Sequence, residues 1–133
     1  MSYAAATSAY RDMEVLSAPP GRLVVIVYDH LLVNLRRTAI AIDTRNVELF
    51  SSSLGKSQDA LAELMGDLDL ERGGTIGREL ASLYTFFLAS LVDVARTKDQ
   101  RLLARISAQL SELRDAFAQV AATAPATTTA TAA

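Results

Sequence analysis

His30 is the only histidine in this chain of 133 residues, and there is no cysteine. Without thiols there can be no disulfide framework, no zinc–cysteine site and no thiolate nucleophile, and the chain is compatible with a reducing compartment. A lone histidine on a helix can carry a phosphoryl group, but only where it is exposed among small or basic residues that leave room for a donor. Leu31-Leu32-Val33 follow His30, so a half-exposed structural histidine is the better reading than a phosphotransfer module. Di-iron bundles need Glu-x-x-His pairs on facing helices, and none occurs. Asp67, Asp69 and Glu71 gather around one turn without calcium-loop spacing, which reads as a solvated turn. Gly73-Gly74 lacks the Gly-x-x-x-x-Gly-Lys frame and the preceding strand of a phosphate loop; a helix stop with a tight turn accounts for it. No nucleophile stands at a motif spacing from a base. The residues predict no enzyme, no catalytic residue, no cofactor and no metal.

Partners are bounded in the same way. Half the residues are hydrophobic and 21% are charged, a globular composition suited to one domain that needs no metal or disulfide staple. The net charge is −2, and Lys and Arg are scattered among acids, which disfavours nucleic acid. The chain opens without the basic segment and apolar run of a secretory signal. The longest uncharged apolar stretch, Leu80 to Val92, is shorter than the ~20 residues a bilayer requires. These features predict a cytoplasmic protein with no membrane insertion.

Four helices must position whatever surface does the work. Residues 1–18 read as a mobile arm or cap with Tyr3, Tyr10, Met13, Val15 and Leu16 as apolar anchors, broken from the rest by Pro19-Pro20-Gly21. Residues 19–122 read as the helical domain. Its helices run from Arg22 to about Asp43, from an Asn46 cap to about Asp67, from a Thr75 cap to Arg96 or Thr97, and from an Asp99 cap to about Ala122. A turn is expected over Leu70–Gly74. The Ala/Thr tail, 123–133, has no apolar anchor large enough to offset its ordering entropy and reads as disordered. The fold class is therefore all-α, and short turns favour an antiparallel up-down bundle.

The second and fourth helices each carry a single apolar stripe: Val47, Phe50, Leu54, Ser57, Leu61, Leu64 and Leu68 on one, and Leu103, Ile106, Leu110, Leu113, Phe117 and Val120 on the other. The first and third carry more than a core requires. Val24, Tyr28, Leu31, Leu35 and Ile42 suffice to face the bundle, yet Ile26, Val33 and Ile40 make a second stripe. Arg22, Asp29 and Arg36 frame it on one flank, His30 and Arg37 on the other. On the third helix Ile76, Leu80, Leu83, Phe87, Leu91 and Val94 form one stripe, and Ala81, Tyr84, Leu88, Val92 and Ala95 a second. Phe86 stands on its otherwise polar side with Glu79, Ser82 and Asp93. A helix packed between two neighbours needs two apolar faces, so the doubling suits either a buried core or one wall of a partner groove framed by charges. The arm could cover such a stripe until a partner displaces it.

These pieces together resemble the flagellin-specific export chaperones, the FliS family. The arm Tyr10-Arg-Asp-Met-Glu-Val15, then Ser17-Ala-Pro-Pro-Gly-Arg-Leu23 and Val27-Tyr28-Asp29, is similar to the family's opening. Glu63-Leu64-Met65, Leu68-Asp69 and Gly73-Gly74 resemble its central turn, and Leu80, Leu83-Tyr84 and Leu113-Arg114 follow in order. The likeness covers roughly residues 3–120. The sequence departs from the family at Val27, Arg96 and Phe117, which bears on the detail of the groove. The resemblance implies a four-helix bundle with an additional N-terminal helix or cap. It also implies a chaperone that binds the disordered C-terminal segment of flagellin, blocks premature polymerisation and assists type III export, with contacts to export-gate components. The expected client contacts are Tyr10 and Val15 in the arm, Ile26, Val33 and Ile40 with Asp29 beside them on the first helix, and Tyr84 and Leu88 on the third. A monomer or weak homodimer is expected; the alternative is a structural bundle whose extra stripes bury in a homo-oligomer.

Overall fold

The computed structural model describes residues 20–68 and 70–123, with side chains at 21–68 and 74–122. Tyr10, Val15 and the rest of the arm, like the tail beyond 123, lie outside the described residues. Four helices make up the described chain: α1 (Pro20–Thr44), α2 (Val47–Gly66), α3 (Leu70–Thr97) and α4 (Gln100–Thr123), with no strand among the described residues. Pro20 takes the first helical position of α1, where its missing N–H is one the helix would leave unpaired anyway.

Both short connections carry the capping chemistry expected of them. Thr44 returns its hydroxyl to the Ile40 carbonyl (2.8 Å), and Arg45 takes φ 55°. The Asn46 N–H then bonds to Ala41 O (2.9 Å), closing α1 with a six-to-one bond. The Asn46 side chain accepts from Leu49 N–H (3.0 Å) and so caps α2. The second connection repeats the device. Thr97 donates to the Asp93 carbonyl (2.8 Å), Lys98 takes φ 54°, and Asp99 Oδ1 accepts from the Arg101 and Leu102 amides.

The turn expected over Leu70–Gly74 is not a plain loop. Helix is already present at Leu70, and the interruption is confined to Gly74 at φ 55°, ψ −131°. A side chain is strongly disfavoured in that region of backbone space, so one glycine kinks the helix there. Thr75 accepts from the Arg78 guanidinium at 3.4 Å.

Contacts join α1 to α2, α1 to α4, α2 to α3 and α3 to α4, the last being the slightest. The α1–α4 pair runs antiparallel: Gly21 lies against Ala121, Asp29 pairs with Arg114, and the Gln100 amide donates to Ala39 O (2.8 Å). At Gly21 a Cβ would come within 3.3 Å of the Ala121 Cβ, tighter than ordinary packing. The α1–α2 seam is built from small and polar residues, Asn34, Thr38 and Ala41 against Ser53, Ser57 and Ala60, all buried. Their hydroxyls are internally satisfied. Thr38 donates to Ser53 Oγ (2.9 Å) and Ser53 to Leu49 O (2.7 Å), as buried polar groups require; the buried Asn34 Oδ1 has no hydrogen-bond partner among the described residues.

The core proper holds Tyr28, Leu31 and Leu35 of α1, Leu54, Leu61 and Leu64 of α2, Phe87, Leu91 and Val94 of α3, and Leu103, Ile106 and Leu110 of α4. Tyr28 ties it together: its ring stacks on Phe117 at 5.5 Å, and its hydroxyl meets that of Tyr84 at 2.7 Å. Taken alone, α3 from Gly74 to Thr97 is long and apolar enough to cross a bilayer. In the fold, Phe87, Leu91 and Val94 on that segment are core residues.

Candidate functional site

The described surface has no cluster of His, Asp or Glu that could hold a metal ion. His30 is half-buried on α1. Burial, chiefly, and then the Lys56 charge hold its pKa below the ordinary value, with Glu63 opposing and Arg37 adding to the shift. What distinguishes the surface is large apolar side chains left outside the core.

On α1 the second stripe is where the spacing puts it. Val33 and Ile40 are exposed, Ile40 by 49%, and Ile26 is half-buried. Asp29 borders them, but its carboxylate is engaged: Arg114 of α4 donates Nε to Oδ1 (2.8 Å) and Nη2 to Oδ2 (3.4 Å). This forked pairing raises the Arg114 pKa and fixes one border of the stripe geometrically.

On α3 the expected division into two stripes is replaced by another. The buried line is Tyr84, Phe87, Leu91 and Val94, drawn from both. Tyr84, expected on the open stripe beside Leu88, is 1% exposed; its hydroxyl is bonded to Tyr28, so it belongs to the core. Leu88 is half-buried and packs against that core. Ile76 (70% exposed), Leu83 and Val92, expected on apolar stripes, are open, and so is Phe86 (54%) on the polar side.

A helix turns about 100° per residue, which places the open residues of α3. Thr85 reaches Met65 Sδ on α2 at 3.9 Å, so Leu83, about 160° round the helix, faces away from α2. Ile76 and Phe86 lie within about 60° of Leu83. On α4, Leu113, Phe117 and Val120 are all rotated in one sense away from Arg114, the residue that faces α1. Val120 is 64% exposed, and Leu113 and Phe117 are half-buried. The open residues of α3 and α4 therefore flank the slightest of the four helix–helix contacts among the described residues, with the Tyr28–Tyr84 pair beneath it. Fully burying one large side chain stabilises a fold by about 1.5–3 kcal/mol. A chain that leaves Ile76, Leu83, Phe86 and Val120 in water forgoes much of that at one place. Sequence reasoning missed this trough because Ile76, Leu83 and Val120 sit on regular stripes. Phe86 among polar neighbours was the one visible signal.

A sequence model of the family described as "Flagellar protein FliS" matches residues 2–124. The flagellar secretion chaperone FliS of Bacillus subtilis (strain 168) is 28% identical over 112 residues, covering 84% of this chain and 83% of the relative. FliSB of Pseudomonas aeruginosa, also named a flagellar secretion chaperone, is 28% identical over 106 residues, 80% of this chain and 84% of its own. The flagellar secretion chaperone FliS of Salmonella typhimurium is 25% identical over 110 residues, with 82% of each chain covered.

Proposed function

This chain belongs to the FliS family of flagellar proteins, and we propose on that premise that it is a cytosolic chaperone that holds the C-terminal segment of flagellin. Holding that segment prevents premature polymerisation and presents the client for type III export, where export-gate components meet the complex. The four helices form an antiparallel up-down bundle, and residues 1–18 add an N-terminal helix or cap over an apolar face until the client displaces it.

The observation that carries the reading is apolar area exposed in lines rather than singly: Val33 and Ile40 on α1, continued by the half-buried Ile26, and Ile76, Leu83 and Phe86 on α3 with Val120 on α4. Scattered exposed hydrophobics are ordinary, whereas lines of them along helices mark a surface for a partner. A disordered segment must recover its ordering cost on binding, so it needs an extended surface rather than one pocket. Only the surplus appears as affinity, and a modest surplus suits a client that must be released. On α1 Asp29 orients polar contacts at the border, Leu88 supports the α3 side, and Tyr10 and Val15 act from the arm. Tyr84 serves as the floor.

Leu83→Asp and Phe86→Asp test this directly. Leu83 is 40% exposed and Phe86 meets Phe87 edge-on at 5.6 Å, so each change should cost about 1 kcal/mol of stability while the helical fold is retained. Affinity for a peptide of the flagellin C-terminal segment should fall roughly 10- to 100-fold, as when a buried apolar anchor is lost. Unchanged affinity in both variants and in Ile40→Asp would remove these faces from the client site. A mass that grows with concentration, with no client bound, would instead assign them to self-association.

A further inference from the structure

The two helix–helix turns at the α1–α2 and α3–α4 connections stand side by side and enclose a cleft of about 380 Å³. Ala41, Ile42, Val47 and Phe50 supply apolar walls, and Val47 is 71% exposed. Arg45 comes from one turn and Lys98 from the other; the Lys98 ammonium lies 5.4 Å from the centre of the Phe50 ring. Among the described residues, no acidic one lines the cleft. Of the nearby carboxylates, Asp43 accepts from the Gln100 amide (2.9 Å), Asp99 caps α4, and Glu48 stands exposed in the first turn of α2.

Arg45 and Lys98 are also the two positive-φ non-glycine residues among those described. Such sites at helix ends ordinarily favour glycine or asparagine. A base at a helix C-terminus offsets the dipole, which accounts for each charge alone. It does not account for two such charges converging on one apolar floor that carries no acid. Strain retained at a surface position is a pointer to use.

We infer that this cleft is a second docking site, separate from the client surface, and that its occupant is an acidic linear segment of a partner protein. The segment inserts a bulky apolar side chain against Val47 and Phe50 and sets flanking carboxylates on Arg45 and Lys98. Charge complementarity selects that occupant, because the lining offers two cations and an apolar floor. The site lies at the end of the molecule opposite the Gly21–Ala121 contact, past the last residue of the α1 stripe.

The test uses the full chain, isotope-labelled for NMR, and a capped eight-residue peptide in which leucine alternates with glutamate. The expected result is saturable shifts of the Val47, Phe50 and Lys98 amides that weaken with salt. A peptide with lysine in place of glutamate should leave them unmoved. Arg45→Gly combined with Lys98→Gly suits the positive-φ backbone, so the fold should be retained while affinity for the acidic peptide drops roughly tenfold. Arg45→Asn with Lys98→Asn, which also tolerates that backbone, should show the same loss. The flagellin segment should bind the double variants as it binds the parent chain. Equal binding of the lysine peptide, undiminished affinity in the folded double variants, or shifts confined to other regions would overturn the proposal. Loss of flagellin-segment binding in the same variants would also overturn it, by making the cleft part of the client surface.

Discussion

Removing the Tyr28 hydroxyl perturbs one atom at the centre of the fold. Tyr28 is fully buried and Tyr84 is 1% exposed, and their hydroxyls meet at 2.7 Å across the core, from α1 to α3. In Tyr28→Phe the ring still stacks on Phe117, so little apolar packing is lost, but the Tyr84 hydroxyl is left buried without its partner. An orphaned buried hydroxyl costs about 1–3 kcal/mol, which lowers the melting temperature by roughly 3–5 °C per kcal/mol in a domain of this size. Tyr84→Phe should cost a similar amount for the mirror reason. The double variant has neither hydroxyl to satisfy and should be destabilised by less than the sum of the two, with a coupling of about 1 kcal/mol or more. Urea unfolding followed by circular dichroism measures all four corners of the cycle, and the slope of the transition should not change. A double variant whose loss equals the sum would refute the pairing and, with it, the reasoning that places Tyr84 in the core.

Three further outcomes follow from the same geometry. Burial pushes the pKa of both Tyr28 and Tyr84 above the ordinary value near 10. The fold therefore keeps protons that the unfolded chain releases, and stability should hold below pH 10 and fall as pH rises beyond it. Ultraviolet absorbance should show these two phenols ionising only as the chain unfolds. Gly74→Ala should cost about 1–3 kcal/mol in chemical denaturation. The new methyl meets nothing within 4 Å, so the penalty comes from the backbone angle alone. The His30 pKa is held below its ordinary value, so protonation favours the unfolded chain. Stability should decline as pH falls below about 6.5, and His30→Gln should flatten that decline in a pH series of melting temperatures.

Much of the fold could be read from local chemistry. The four helices, the Asn46 and Asp99 caps and the core line Tyr28–Leu31–Leu35 rest on spacing and capping rules that act within one or two turns. The α1 stripe was legible too, because Arg22, Asp29 and Arg36 on one side and His30 and Arg37 on the other mark its borders. The rotation of α3 was not. Its apolar residues cover a wide arc, and which part faces inward depends on where α2 and α4 lie and on the Tyr28–Tyr84 contact over 56 positions of sequence. A helical wheel carries no information on that. The same gap put Tyr84 among the expected client contacts and left Ile76 and Leu83 on a stripe whose inward or outward side spacing does not decide. Val120 continues a core stripe in spacing, but it lies beside the slight α3–α4 contact and is left open. At Leu70–Gly74 turn composition was visible, while the confinement of the break to Gly74 reflects one residue's backbone freedom.

The most direct test of the account is calorimetric titration of the purified chain with a peptide of the flagellin C-terminal segment, repeated over a range of temperatures. The account predicts saturable one-to-one binding with a heat-capacity change of roughly several hundred cal/mol/K or more in the negative direction, the mark of a disordered segment folding onto apolar surface. A folded, helical chain that takes up no peptide at any temperature would contradict the chaperone reading.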